Sequence, residues 1–209
     1  MKQPKCRICR RVGTKLFLKG EKCSSPKCPF IKRPYPPGPQ KKKRRFSFSE
    51  YAKELREKQK LKNFYGLTER QFSGYVKEVL QRRGRAGDAT LLLIHKLESR
   101  LDNAVFRLGF ARSRGEAREL VSHSHFLVNQ KRMNIPSFQV KKGDVISLKE
   151  TKKNKPFFKN LAVGLKNFQT APWLKLDVKK LEGKVTGASA SEEAGSSVDI
   201  PAIFEFYSR

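Results

Sequence analysis

Apolar residues recur at Leu93, Leu97, Leu101, Ala104, Val105 and Leu108, while Lys96, Glu98, Arg100, Asp102 and Arg107 fill the wetter positions. That i, i+4, i+7 spacing predicts one long helix with a single buried face, started by Asp88 and closed by Gly109. Ser113-Arg114-Gly115-Glu116 has the S-x-x-E spacing of a capping box and predicts a short second helix with Ala117, Leu120 and Val121 inward. Phe126-Leu127-Val128 begins a strand, Val140 to Asp144 makes a turn, and Val145–Leu148 forms the next strand. Two packed helices then present Arg112, Arg114 and Arg118 on one rim, with Asn129, Lys131 and Arg132 near the following turn.

Upstream, Ser49 caps a helix that runs through Leu55 and Leu61 and ends near Asn63 and Gly66. Its Glu54–Lys58 spacing sets charge pairing on one side and packing on the other. Thr68-Glu69-Arg70-Gln71 opens another helix through Phe72, Val76, Val79 and Leu80, broken at Gly84-Arg85-Ala86-Gly87. Those glycines are not a phosphate loop, because no strand precedes them and no Lys-Ser/Thr follows. Downstream, Pro172 to Asp177 alternates like a strand, with Trp173 as a core anchor. Residues 187–197 are small, polar and acidic and read as a mobile loop. Ile200 to Tyr207 returns to pack on the helical body. The fold class is α+β. A basic arm (1–45) precedes a helical domain (46–98, completed by about 163–209) that carries an inserted module (99–162) of two helices and a small antiparallel sheet.

Charge changes this picture. The 209 residues include 47 Lys and Arg against 19 Asp and Glu, a formal net charge of +28. One basic run is usually a solvated face, but an excess spread over most of the chain calls for a polyanion to offset self-repulsion. Nucleic acid is favoured over a membrane, since no apolar segment approaches the ~18–20 residues of a spanning helix. No signal peptide pattern is visible at Met1. The expected location is the cytoplasm, with an organelle matrix as the alternative, and no small-molecule substrate is implied.

All four cysteines fall within the first 28 residues, as Cys6, Cys9, Cys23 and Cys28 with C-x2-C-x13-C-x4-C spacing. Two close pairs separated by a loop suit one tetrahedral Zn2+ held by four thiolates, a closed structural site with no catalytic water. Two disulfides or four free thiols are the alternatives, and disulfides are disfavoured in a cytosolic chain. Basic neighbours (Lys5, Arg7, Arg10, Arg11) are expected to favour thiolate. From residue 1 to 45 there are 16 Lys or Arg and one acid, Glu21. Arg33, Tyr35, Arg44 and Arg45 lie in an extended, proline-rich and then basic run suited to following phosphates and stacking on a base. A floppy tail or a localisation signal is the alternative. Arg70, Arg82 and Arg83 add basic helix positions, which meet a ribose-phosphate backbone or stay solvated.

The run from Ser99 to Glu150, SRLDNAVFRLGFARSRGEARELVSHSHFLVNQKRMNIPSFQVKKGDVISLKE, resembles the RNA-binding module named after small-ribosomal-subunit protein four. The cysteine block and the closing FEFYSR resemble the rest of that family in its bacterial or organellar form. The resemblance implies that Arg107, Arg112, Ser113, Arg114, Arg118, His123, Asn129, Lys131, Lys141 and Lys142 face RNA. Arginine brings a planar fork matched to phosphate, and lysine a point charge. Read from the residues alone, His123 and His125 are more often packed side chains than RNA contacts. The family has Gly between those histidines and an Asn-Gly turn, where this chain has Ser124 and Asn129-Gln130; a left-handed Gln130 costs roughly 1 kcal/mol.

The function implied is a structural, non-enzymatic constituent of the small ribosomal subunit. It would bind a junction in the 5′ domain of the ribosomal RNA early in assembly, line the path by which messenger RNA enters, neighbour small-subunit protein five and affect decoding accuracy. Two other readings carry the same module. An RNA-modifying enzyme would need a further catalytic domain, and residues 151–209 offer too little chain. A nucleic-acid-binding regulator would prefer duplex DNA to structured RNA.

Overall fold

Short side-chain caps start the two long helices of the amino-terminal half. In the computed structural model, which describes residues 4–39, 49–82, 89–153, 156–159, 161–165, 168–187 and 198–208, Ser49 Oγ accepts from Ala52 N at 3.3 Å and starts α4 (Glu50–Phe64). Thr68 and Gln71 exchange two such bonds, at 3.3 and 3.4 Å, and start α5 (Glu69–Arg82). Before them lie α1 (Lys5–Val12), α2 (Glu21–Ser24) and α3 (Pro29–Lys32). After them come α6 (Ala89–Glu98), α7 (Leu101–Arg107) and α8 (Arg114–Ser122). Short turns of helix follow as α9 (Glu150–Lys153), α10 (Pro156–Lys159) and α11 (Leu161–Leu165), and the chain closes on α12 (Ile200–Ser208).

The chain divides into two compact units, 1–93 with 192–209, and 94–191. In the first, α12 packs on α4 and α5, as its apolar run predicts. Leu61, Phe72, Val76, Val79 and Ile203 lose all exposure there. Asp199 caps α12 by accepting from Ala202 N at 3.3 Å, and its own N–H donates to Glu57 Oε2 at 3.1 Å. Lys58, which helical phase puts on the wet side of α4, is instead buried at 6% exposure. It donates to Glu69 Oε1 at 2.8 Å and lies 4.1 Å from the centroid of the Phe206 ring.

The second unit corrects the expectation of one uninterrupted helix over 93–108. The helix breaks at Ser99 and Arg100 because segment 136–140 captures the backbone there. Leu101 N donates to Phe138 O at 2.8 Å and Asp102 N to Pro136 O at 3.2 Å, while Val140 N donates to Ser99 O at 2.8 Å. Five antiparallel strands follow: β1 (Phe126–Val128), β2 (Lys131–Arg132), β3 (Val145–Leu148), β4 (Leu174–Asp177) and β5 (Glu182–Val185), in the order β2-β1-β3-β5-β4. Phe126 pairs with Leu148 and Val128 with Ile146. All four point to the face covered by Leu101, Ala104, Val105 and Leu108 of the α7 region and by Ala117 and Val121 of α8. Sequence patterning places a module boundary near 162. The sheet runs past it, because β5 pairs with β3 through Ile146 and Gly183.

The β1–β2 hairpin accepts the backbone strain. Asn129 and Gln130 have φ of 48° and 64°, and Ser124 has φ of 55°. Positive φ at both turn residues matches the twist of the flanking strands, so the missing glycines changed the cost and not the turn.

Candidate nucleic-acid interface

Two of the rim arginines, Arg114 and Arg118, converge with Arg107 on one short stretch, Glu98 to Asn103. Arg107 grips the fully buried Glu98 carboxylate as a fork, with Nε and Nη2 each 3.2 Å from Oε2 and Oε1. Asn103 Nδ2 donates to Glu98 Oε2 at 2.8 Å, and Asn103 Oδ1 accepts from Arg114 Nε at 2.8 Å. The Arg114 guanidinium also sits 4.7 Å from the centre of the Phe106 ring. Arg118 donates from Nε and Nη2 to Asp102 Oδ2 at 2.9 and 2.7 Å, and Arg100, buried at 2% exposure, binds the same carboxylate at 3.1 and 3.0 Å. Glu98, Asp102 and Asn103 were not singled out by pattern reading, where they pass as the polar face of a helix.

Other predicted residues divide between scaffold and surface. Ser113 is buried, and its hydroxyl caps α8 by accepting from Glu116 N at 3.3 Å. The expected return bond arrives one residue early, with Glu116 Oε2 accepting from Arg112 N at 2.6 Å. Asn129 ties two loops together: its Nδ2 donates to Asp144 Oδ1 at 2.8 Å, and its Oδ1 accepts from Val145 N at 2.9 Å. Asp144 Oδ2 also accepts from Lys141 N at 2.8 Å, so one acid fixes the turns that carry Lys131, Lys141 and Lys142, all exposed. Arg112 and His123 are exposed, whereas His125 is buried against Phe158, with ring centroids 5.6 Å apart.

In the first unit, Arg10 holds the proline-rich segment onto α1. Its Nε donates to Tyr35 O at 2.9 Å, and its guanidinium lies 4.9 Å from the Tyr35 ring centre. Arg7, Arg11, Arg33, Tyr35 and Arg70 are exposed. A groove of ≈660 Å³ between α1 and α4 is lined by Ile8, Val12, Leu55 and Leu67 together with Arg11 and Arg56. Arg44, Arg45 and Arg83 lie outside the described residues, as does the 187–197 loop beyond Gly187; of Arg82 the helical backbone alone is described.

Cys6, Cys9, Cys23 and Cys28 line one cavity of ≈10 Å³, and none forms a disulfide. Among the described residues no group of three or more His, Cys, Asp or Glu is arranged to hold a metal ion. Four thiols are chemically a donor set for a soft divalent ion, and Lys19 N donates to Cys23 Sγ at 3.3 Å. Burial pushes the Cys9 thiol up, a backbone hydrogen bond at Leu16 draws it down, and the other three cysteines push it up.

Two helices packed on an antiparallel sheet thus carry a rim of anchored arginines and fixed lysine turns. The family profile described as "Ribosomal protein S4/S9 N-terminal domain" matches residues 1–98 and that described as "S4 domain" matches 99–146, meeting at the break between α6 and α7. The chain is 46% identical to small ribosomal subunit protein uS4 of Thermus thermophilus over 206 residues, covering 99% of this chain and 97% of that protein. It is 48% identical, with the same coverage, to the uS4 proteins of Caldicellulosiruptor saccharolyticus and Heliobacterium modesticaldum. The chain belongs to the uS4 family of small-ribosomal-subunit proteins. Among the described residues no helix is long and apolar enough to cross a membrane.

Proposed function

We propose that this protein is a structural, non-catalytic constituent of the small ribosomal subunit that binds its ribosomal RNA early and holds a junction of the 5′ domain while the subunit body assembles. The observation that carries the reading is whole-length similarity to uS4 proteins in a chain of +28 whose arginines are held in place. Guanidinium forks fix phosphates in position, and the shape of the rim selects folded RNA. Small-subunit protein five as a neighbour, messenger RNA along its path of entrance and an effect on decoding accuracy belong to the same reading. The test is a footprint on small-subunit ribosomal RNA combined with a salt titration. With ~6–10 phosphate contacts, affinity falls ~10³–10⁵-fold between 50 and 200 mM salt if duplex behaviour carries over. A flat salt response, or protection no different from that given by an unrelated basic protein, overturns it.

In the same reading Cys6, Cys9, Cys23 and Cys28 hold one structural Zn2+ as thiolates. Bound there, the ion supplies a cross-link between α1 and the α2–α3 region and takes no part in chemistry. The cavity that the four cysteines share supports this.

A further inference from the structure

We propose that the buried carboxylates Glu98 and Asp102, with Asn103, are positioning residues for RNA binding, holding Arg107, Arg114 and Arg118 in the directions in which a folded RNA meets them. The proposal rests on the RNA-binding reading above. Glu98 is fully buried, Asp102 is 4% exposed and Asn103 1%, so none of them offers RNA a surface. The arginines they hold do reach the surface, Arg107 with 14% and Arg118 with 30% of its side chain exposed. Each arginine is anchored through its Nε edge: Arg107 on Glu98 at 3.2 Å, Arg114 on Asn103 at 2.8 Å and Arg118 on Asp102 at 2.9 Å.

The three anchors are themselves joined. Asn103 Nδ2 bonds the Glu98 carboxylate and Asn103 N bonds Asp102 Oδ1 at 2.9 Å. The Glu98 to Asn103 stretch is fixed in turn by the backbone bonds to 136–140 that break the long helix. Buried ion pairs are poor sources of stability compared with apolar packing, but they fix geometry well. An arginine already held loses less side-chain freedom when it meets a phosphate, which is the usual gain from pre-organisation. Net charge argues the other way, since removing a negative charge from a strongly basic protein should strengthen its hold on a polyanion. The two accounts therefore differ in sign.

Full-length Glu98→Gln and Asn103→Ala proteins are compared with the wild type on a transcript of the small-subunit 5′ domain, across a salt series, at a temperature where circular dichroism shows each folded. Glu98→Gln removes a negative charge, yet affinity is expected to fall about 5–20-fold, with the slope of log affinity against log salt shallower by roughly 1–2 phosphate equivalents. Asn103→Ala changes no charge and no exposed atom, and it decides the matter if Glu98→Gln fails to fold; about 5-fold weaker binding with a shallower slope is expected. Unchanged or tighter binding by the folded variants overturns the positioning role while leaving RNA binding intact. A wild-type protein with no salt-dependent preference for this transcript overturns the RNA reading itself.

Discussion

Gly183 of β5 lies directly against the Leu108 side chain, so that a Cβ at position 183 would overlap both Leu108 methyl carbons. Leu108 is fully buried at the end of α7. This contact binds β5 into the same core as α7 and α8, and it explains a glycine in mid-strand without any need for unusual backbone angles. Gly183→Ala is therefore expected to destabilise the protein by about 1–3 kcal/mol through overpacking. The measurement is the urea midpoint at constant m-value, and a midpoint equal to wild type would mean that Leu108 can move.

What the sequence revealed and what it hid follow from range. The caps at Ser49, Thr68 and Ser113 were legible because each is a bond between residues three apart. Strands β1 and β3 were legible as short apolar runs, β3 directly after a turn, and β4 from its apolar alternation. The break at Ser99 was not, because the apolar phase runs through it unbroken and its cause lies some 40 residues away, as in the Ser99–Gln139 hydrogen bond with |i−j| of 40. β5 was hidden because Glu182-Gly183-Lys184-Val185 has a glycine where an inward apolar residue would announce a strand. At the interface, arginines stand out by charge, whereas the acids that hold them look like ordinary solvated positions.

At Gln130 the backbone sits at φ 64°, exposed, in the second position of a tight hairpin turn. An L side chain there costs about 1–2 kcal/mol, while glycine costs roughly 0.5–1 kcal/mol of extra unfolded-chain entropy. Gln130→Gly should accordingly stabilise by about 0.5 kcal/mol and Gln130→Val should destabilise by 1 kcal/mol or more. Thermal melts of the two variants should move in opposite directions; movement in the same direction would show that the strain is relieved elsewhere.

Glu69 contributes to acid sensitivity. Burial alone would raise its carboxyl, but hydrogen bonds from Lys58, Lys62 and Tyr207 hold it at about 2, against an ordinary 4.5. Its folded value is depressed, so the stability it contributes is full above about 4.5 and is lost as pH falls toward 2. With 47% of the side chain exposed, solvent screening leaves this at about 1 kcal/mol. Denaturant titrations of wild type and Glu69→Gln should differ by that amount at pH 7 and converge near pH 2. A constant difference across that range would remove Glu69 from the account. The same carboxylate ties down α12 by accepting from Tyr207 Oη at 2.7 Å, and burial and then Glu69 push the Tyr207 hydroxyl well above the ordinary tyrosine range.

The amino-terminal arm should depend on metal. Its helices α1, α2 and α3 have 8, 4 and 4 residues, well below the ~12–15 at which isolated helices hold their shape. Its buried apolar set is little more than Val12, Leu16 and three of the cysteines themselves. A core that small offsets little of the entropy of ordering the arm, so under the zinc proposal a cross-link through Cys6, Cys9, Cys23 and Cys28 is expected to supply the difference. Elemental analysis should return about one zinc per chain. Chelation, or Cys9→Ser, should abolish hydrogen-exchange protection around α1 while leaving the amides of β1, β3 and β5 protected. Purified protein that holds no zinc, keeps a protected arm under chelator and shows two disulfides by mass would mean that sulfur–sulfur bonds do this work instead.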